Sequence, residues 1–237
     1  MRSYMSRVGE NTIRKAANGW STAAKAVFVW FFGKVSGVPG DHVAGKSGSD
    51  ASPWVVRFLG GVKSGGRILD VASGGGRHLR LALEAGYRVA GVDRDVSGLS
   101  DLAGLDEVWV VESDLEAGCA TPLQDRFGPG SFDGVIVTNY LWRPILADIV
   151  SMMGDDGILI YETFALGNER VGRGKPSNPD FLLRPGELLD VIRPHLTAIA
   201  YEHALLEGPE RVVQRVVAVG PKHRWLLEPP AGWSGLR

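Results

Sequence analysis

With a single cysteine, Cys119, in 237 residues, the chain can build neither a disulfide framework nor a cysteine-rich zinc site of its own. The simplest role for that residue is a small buried hydrophobe. Charge of one sign is missing too. The formal net charge of −1 gives no global attraction to nucleic acid or to a membrane. The main body has no dense basic stripe, which disfavours RNA as a partner. No apolar run reaches the about 20 residues that span a bilayer; the densest cluster, Ala26 to Phe32, is far shorter. The length leaves room for one sizeable core with an appendage and not for two full domains.

What is present divides into three parts: a basic extension over 1–50, a main domain over 51–221 and a tail over 222–237. The first 40 residues carry Arg2, Arg7, Arg14, Lys15, Lys25 and Lys34 against one acid, Glu10. Trp20, Ala24, Val27 and Phe31 share one helical face. A helix docked on the body is the simplest reading. Contact with a partner or a membrane surface through residues 20–33 and an organellar presequence are the alternatives. Residues 36–52 read as a linker, and the expected setting is cytoplasmic.

The main domain opens with Ser52 as N-cap and Pro53 at the first helical position. Gly66 to His78 then reads as a buried strand (Ile68, Leu69, Val71) running into the turn Gly74-Gly75-Gly76, where a ligand can approach the backbone. Leu79, Leu81, Ala82, Leu83 and Ala85 suit a helix on a sheet, ended by Gly86. Further strands are predicted over 88–93, 107–111, 132–139 and 158–164. Residues 116–131 read as a loop, 143–153 as a helix, 154–157 as a turn and 165–184 as a long polar loop. A helix with Pro185 first and an antiparallel pair over 197–206 and 211–219 complete the chain. The βαβ rhythm with a closing hairpin predicts an α/β fold.

In an open parallel sheet ligands bind beyond the carboxyl ends of the strands. Asp70, Gly74, Gly76, Asp93, Asp114, Asn139, Tyr140 and Glu162 all lie at or just past such ends. Each alone has a structural explanation as a turn, cap or solvated residue; together they converge on one crevice.

Leu69 to His78, followed by Val92-Asp93, resembles the cofactor signature of class I S-adenosylmethionine-dependent methyltransferases. Small tellurite-resistance and thiopurine types are the most similar within that superfamily. The resemblance implies a Rossmann-like seven-stranded, mostly parallel sheet with helices on both faces and a C-terminal antiparallel hairpin, over about residues 52–220. It further implies S-adenosylmethionine as cofactor, S-adenosylhomocysteine as product, methyl transfer by in-line displacement and no metal. Asp70 and the Gly74–Gly76 backbone would border the methionyl part, Asp93 the ribose hydroxyls, and Asp114 with Leu115 the adenine. Asn139 and Tyr140 would border the sulfonium and the acceptor. Ala72 departs from the family, which often has glycine there, and should narrow the space beside the methionine.

Such an enzyme works largely by positioning, worth roughly 7–11 kcal/mol. If a general base is used, His78, Tyr140, Glu162 and His203 are the candidates, with His78 better suited to packing beside the cofactor turn. Arg143, Arg170, Arg173, Lys175 and Arg184 suggest a basic lid for a small acidic acceptor, with Glu162 also at the acceptor side; the alternative is a merely solvated loop. Protein or RNA acceptors, a nicotinamide-dependent oxidoreductase and a catalytically silent binding module are rival readings. Against the oxidoreductase, Leu79 occupies the place of the third glycine in Gly-x-Gly-x-x-Gly.

Overall fold

The computed structural model describes residues 51–118 and 121–232. The basic extension, Cys119 and residues 233–237 lie outside them, as do the expectations attached to residues 20–33. Seven strands, β1 (Arg67–Val71), β2 (Arg88–Asp93), β3 (Val108–Glu112), β4 (Phe132–Thr138), β5 (Met153–Phe164), β6 (Thr197–Leu206) and β7 (Arg211–Val219), form one sheet in the order β3-β2-β1-β4-β5-β7-β6. All pairs are parallel except β5 with β7 and β7 with β6. The helices are α1 (Pro53–Phe58), α2 (Arg77–Glu84), α3 (Pro122–Phe127), α4 (Leu146–Ser151) and α5 (Glu187–Ile192).

Successive strand residues face opposite sides, so each central strand feeds two cores. Ile68, Ile136, Ile160 and Val217 pack with Trp54 and Phe58 of α1 and Leu79 and Ala82 of α2. Leu69, Val135, Tyr161 and Val216 pack on the other side with Leu123 of α3, Ile149 of α4 and Leu188 of α5. The expected Rossmann-like sheet, with helices on both faces and an antiparallel end, is therefore present. Local signals explain the first two helices: Ser52 Oγ accepts the Trp54 amide at 3.2 Å ahead of Pro53, and Gly86, at φ 85°, follows the end of α2.

Three expectations are corrected. The stretch 116–131 contains α3, because the buried Asp148 carboxylate on α4 caps it, accepting the amides of Leu123 at 2.7 Å and Gln124 at 3.1 Å. Residues 154–157 are not a separate turn but lie within β5, where the register against β4 shifts between Phe132 and Gly134. Helix α5 starts at Glu187 after Gly186, not at Pro185. The start of the tail packs on the domain: His223 Nε2 lies 3.0 Å from the Gly61 carbonyl, and Trp225 is buried edge-on to Phe58.

Gly61 shows how tightly that last segment docks. A Cβ there would sit 2.5 Å from both Ile158 Cδ1 and the Trp225 ring. Among the described residues no helix is long and apolar enough to cross a membrane. Removing the buried ring by Trp225→Ala is expected to cost about 3–5 kcal/mol, read as a lower urea midpoint; an unchanged midpoint would show that the segment is an appendage.

Candidate functional site

Strands β1 and β4 are neighbours, yet β1 is followed by α2 and β2 on one side and β4 by β5 on the other. The chain thus diverges at their carboxyl ends and opens a crevice. Both exits use a non-glycine residue in the left-handed region, Ala72 at φ 54° and Asn139 at φ 56°. Asparagine tolerates this conformation, whereas alanine gives up roughly 1–2 kcal/mol. Asn139 is fixed further by donating its amide to the Glu162 carbonyl at 2.9 Å.

Beyond Ala72 the glycine turn presents bare backbone. A Cβ at Gly74 or Gly75 would meet nothing within 4 Å, so a ligand can reach those peptides. Gly76 differs from them: its Cβ position is filled by Leu99 and Arg80, so it serves packing. Asp93 holds the turn from the side, with Oδ2 accepting the Gly74 amide at 2.7 Å and Oδ1 the Asp95 amide at 3.1 Å. Asp114 Oδ1 accepts the Glu116 amide at 2.9 Å.

The crevice has a volume of about 520 Å³, within the range of small-molecule sites. Six residues expected from the sequence line it: Ala72, Asp93, Asp114, Leu115, Asn139 and Tyr140. Also lining it are Arg94, Ser113 and Glu116 beside the acids, and Leu141, Thr163, Phe164, Pro176 and Phe181 at the far end. The first group follows directly from its neighbours' strand-end positions. Pro176 and Phe181 carry no periodic signal and are brought in only by the folding of their loop.

Asp70 lies at the root of the turn, 1% exposed, with Oδ2 lacking a partner. Burial pushes its pKa up to about 8; Arg77 opposes this and Asp93 reinforces it. Ser73 Oγ and the Tyr140 hydroxyl are likewise buried without partners. Unsatisfied buried polar atoms around an accessible turn suit a polar ligand.

Several assignments change. The Tyr140 phenol is held protonated by burial and by the nearby Glu116, Asp114 and Asp93 carboxylates, so it is a donor and not a base. His78 does not reach the crevice. Its Nε2 accepts the Ser52 amide at 3.1 Å and its Nδ1 faces Thr138 Oγ1 at 3.4 Å, which makes it the neutral Nδ1–H tautomer. Burial and then Arg77 lower its pKa to about 3. It anchors α1 to the sheet instead of acting as a base. His203 is exposed on β6, away from the crevice.

None of Arg143, Glu162, Arg170 and Arg184, expected at the acceptor, lines the crevice. Glu162 is buried toward α1, where it accepts from Ser52 Oγ at 3.1 Å and pairs with Arg215 at 3.3 Å. Arg215 in turn pairs with Glu202 and lies 4.4 Å over the Trp54 ring. Arg143 makes a two-pronged contact with Glu187 at 2.7 and 3.0 Å. Arg184 reaches Glu187 at 3.5 Å, and Arg170 pairs with its neighbour Glu169 on the surface. Of the cations expected in a basic lid, Arg143 is thus taken up by Glu187, whereas Arg170, Arg173, Lys175 and Arg184 are exposed outside the crevice lining.

No family model and no curated protein matches the chain. Solved structures do resemble it. A TehB-like S-adenosylmethionine-dependent methyltransferase from Corynebacterium glutamicum superposes with a TM-score of 0.50 at 21% identity, covering 73% of this chain and 90% of that one. The 1,6-didemethyltoxoflavin N1-methyltransferase of Burkholderia thailandensis, solved with 1,6-didemethyltoxoflavin and S-adenosylhomocysteine, gives 0.51 at 19% identity, covering 70% of this chain and 75% of that one. The [4+2]-cyclase SpnF gives 0.53 at 16% identity, covering 71% of this chain and 78% of that one.

The raised pKa of Asp70 has a consequence for stability. Below about pH 4 both folded and unfolded chains are protonated there. Between about 4 and about 8 the unfolded chain releases a proton that folded Asp70 keeps, so its contribution to stability declines as pH rises through that window. Asp70→Asn is expected to raise the melting temperature above wild type at pH 8 and to change it little at pH 4; a gap independent of pH would contradict this. At such low identities the likeness establishes architecture alone: the chain has the Rossmann-like fold found in these methyltransferases and in the cyclase.

Proposed function

We propose that the chain is a class I S-adenosylmethionine-dependent methyltransferase acting on a small acceptor. The observation that carries the reading is the pair of carboxylates at the ends of β2 and β3, Asp93 and Asp114, lining the crevice beside an open glycine turn that follows the buried Asp70. S-adenosylmethionine supplies a methyl group activated on sulfonium, which passes by in-line displacement to an acceptor nucleophile with release of S-adenosylhomocysteine.

The residues fit that cofactor group by group. Asp70, uncharged around neutral pH in the free protein, is suited to ionise against the methionyl ammonium, and Gly74 and Gly75 leave room for the methionyl chain. Asp93 keeps free lone pairs for the two ribose hydroxyls after bonding Gly74 and Asp95. Asp114 and Leu115 suit the edge and face of adenine. Asn139 and Tyr140 border the reacting region, where they orient and exclude water. Neither is a proton acceptor for the reaction, so catalysis rests on positioning.

The oxidoreductase reading weakens because Leu79, in place of the third glycine, is fully buried against Gly91. The likeness to SpnF supports a second reading, in which the same cofactor crevice serves a reaction other than methyl transfer. The acidic acceptor suggested by the loop charges gains no support from the crevice, since Arg143, Arg170, Arg173, Lys175 and Arg184 do not line it. Calorimetric titration is expected to give binding of S-adenosylhomocysteine and none of NAD, with Asp93→Ala weakening the former about tenfold to a hundredfold. Binding of NAD without S-adenosylhomocysteine would overturn the proposal, and radiolabelled methyl transfer separates it from the second reading.

A further inference from the structure

The far end of the crevice differs in chemistry from the end at β2 and β3. The ionisable carboxylates and guanidinium lining it, Asp93, Arg94, Asp114 and Glu116, all end or follow β2 or β3. The end of β5 and its loop contribute Thr163, Phe164, Pro176 and Phe181, which bring three rings and a threonine side chain but no charge. Arg173 and Lys175, on the same loop, are exposed and do not line the space.

Phe181 is fixed at this mouth. It closes a short 3₁₀ turn, Pro179–Phe181, capped by Asn178, whose Oδ1 accepts the Asp180 amide at 3.0 Å. Arg143 donates to the carbonyls on both sides of Phe181, to Asp180 at 2.5 Å and to Leu182 at 2.9 Å, while its other contacts hold Glu187. The arginine expected to bind an anion instead clamps an aromatic residue that is 38% exposed. A large ring whose flanking backbone is fixed by charge-assisted bonds, and which lines the crevice while partly exposed, is a preorganised apolar wall.

Building on the methyltransferase reading, we propose that the acceptor is a flat, uncharged aromatic molecule seated against Phe164 and Phe181. A carboxylate or phosphate at this end would meet uncharged walls with no cation beside it, and would face three carboxylates, Asp93, Asp114 and Glu116, against one guanidinium, Arg94, across the crevice. A flat neutral ring covers the exposed face of Phe181 and keeps its own face toward the wall.

Three ring systems of matched size test this on protein saturated with S-adenosylhomocysteine: 2-naphthol, 2-naphthoate and decahydro-2-naphthol, titrated at pH 7. The expected order is 2-naphthol tighter than either of the others by about tenfold, with Phe181→Ala weakening 2-naphthol by about tenfold, Phe181→Leu by less, and S-adenosylhomocysteine affinity held within about twofold. Equal or tighter binding of 2-naphthoate or decahydro-2-naphthol, or unchanged 2-naphthol affinity in Phe181→Ala, would overturn the assignment. Should S-adenosylhomocysteine itself fail to bind, the methyltransferase reading falls, and the same titrations on the free protein still decide whether the chamber takes a flat neutral ring.

Discussion

Adjacent parallel strands that leave the sheet in opposite directions cannot cover their own carboxyl ends, and in this protein that geometry at β1 and β4 governs everything near the crevice. Each strand turns out through a left-handed residue, Ala72 or Asn139. Those two turns place Ala72, at the start of the glycine loop, and Tyr140 in the lining of the crevice. The local strain is tolerated because the neighbouring backbone is tied down, Gly74 by the Asp93 carboxylate and Asn139 by the Glu162 carbonyl. Asp93 therefore has a structural role as well as a place on the wall.

Behind the crevice, a chain of polar contacts holds α1 against the sheet. His78, Ser52, Glu162 and Arg215 satisfy one another where α1 meets the ends of β4, β5 and β7, and Trp54 packs beneath the Arg215 guanidinium. These residues resemble catalytic machinery in a linear reading, being a histidine and a glutamate at strand and helix ends. Their burial and mutual pairing make them supports instead. What remains unsatisfied, Asp70 Oδ2, Ser73 Oγ and the Tyr140 hydroxyl, lies on the divergence itself. Of the residues that carry these atoms Tyr140 lines the crevice, while Asp70 and Ser73 are buried behind it at the end of β1.

Legibility in the sequence follows the range of the interactions. The strand, glycine turn and helix over 66–86 depend on residues within a few positions of one another, and they are readable as such. So are Asp93, Asp114, Asn139 and Tyr140, because a strand end is a local feature. The helix α3 is not, since its capping carboxylate, Asp148, is 25 residues from the Leu123 amide. The partner of Arg143 is hidden for the same reason: a cation next to a crevice in sequence says nothing about Glu187, 44 residues away. The place of Trp225 likewise depends on a glycine, Gly61, at the opposite end of the domain. Phe181 stays unmarked because an isolated aromatic in a polar loop has no periodicity to reveal its side.

The crevice thus has two chemically distinct halves, an acidic one formed by the ends of β2 and β3 and an apolar one formed by the end of β5 and its loop. The central claim is that the acidic half, with Asp70 at its root, takes S-adenosylmethionine. A crystal structure of the complex with S-adenosylhomocysteine tests it most directly. The predicted complex has the ribose hydroxyls on Asp93, the adenine by Asp114 and Leu115, the ammonium nearest Asp70 and the sulfur opening toward Phe164 and Phe181. Ligand bound away from Asp70 and Asp93, or with its sulfur turned from the apolar half, would contradict it.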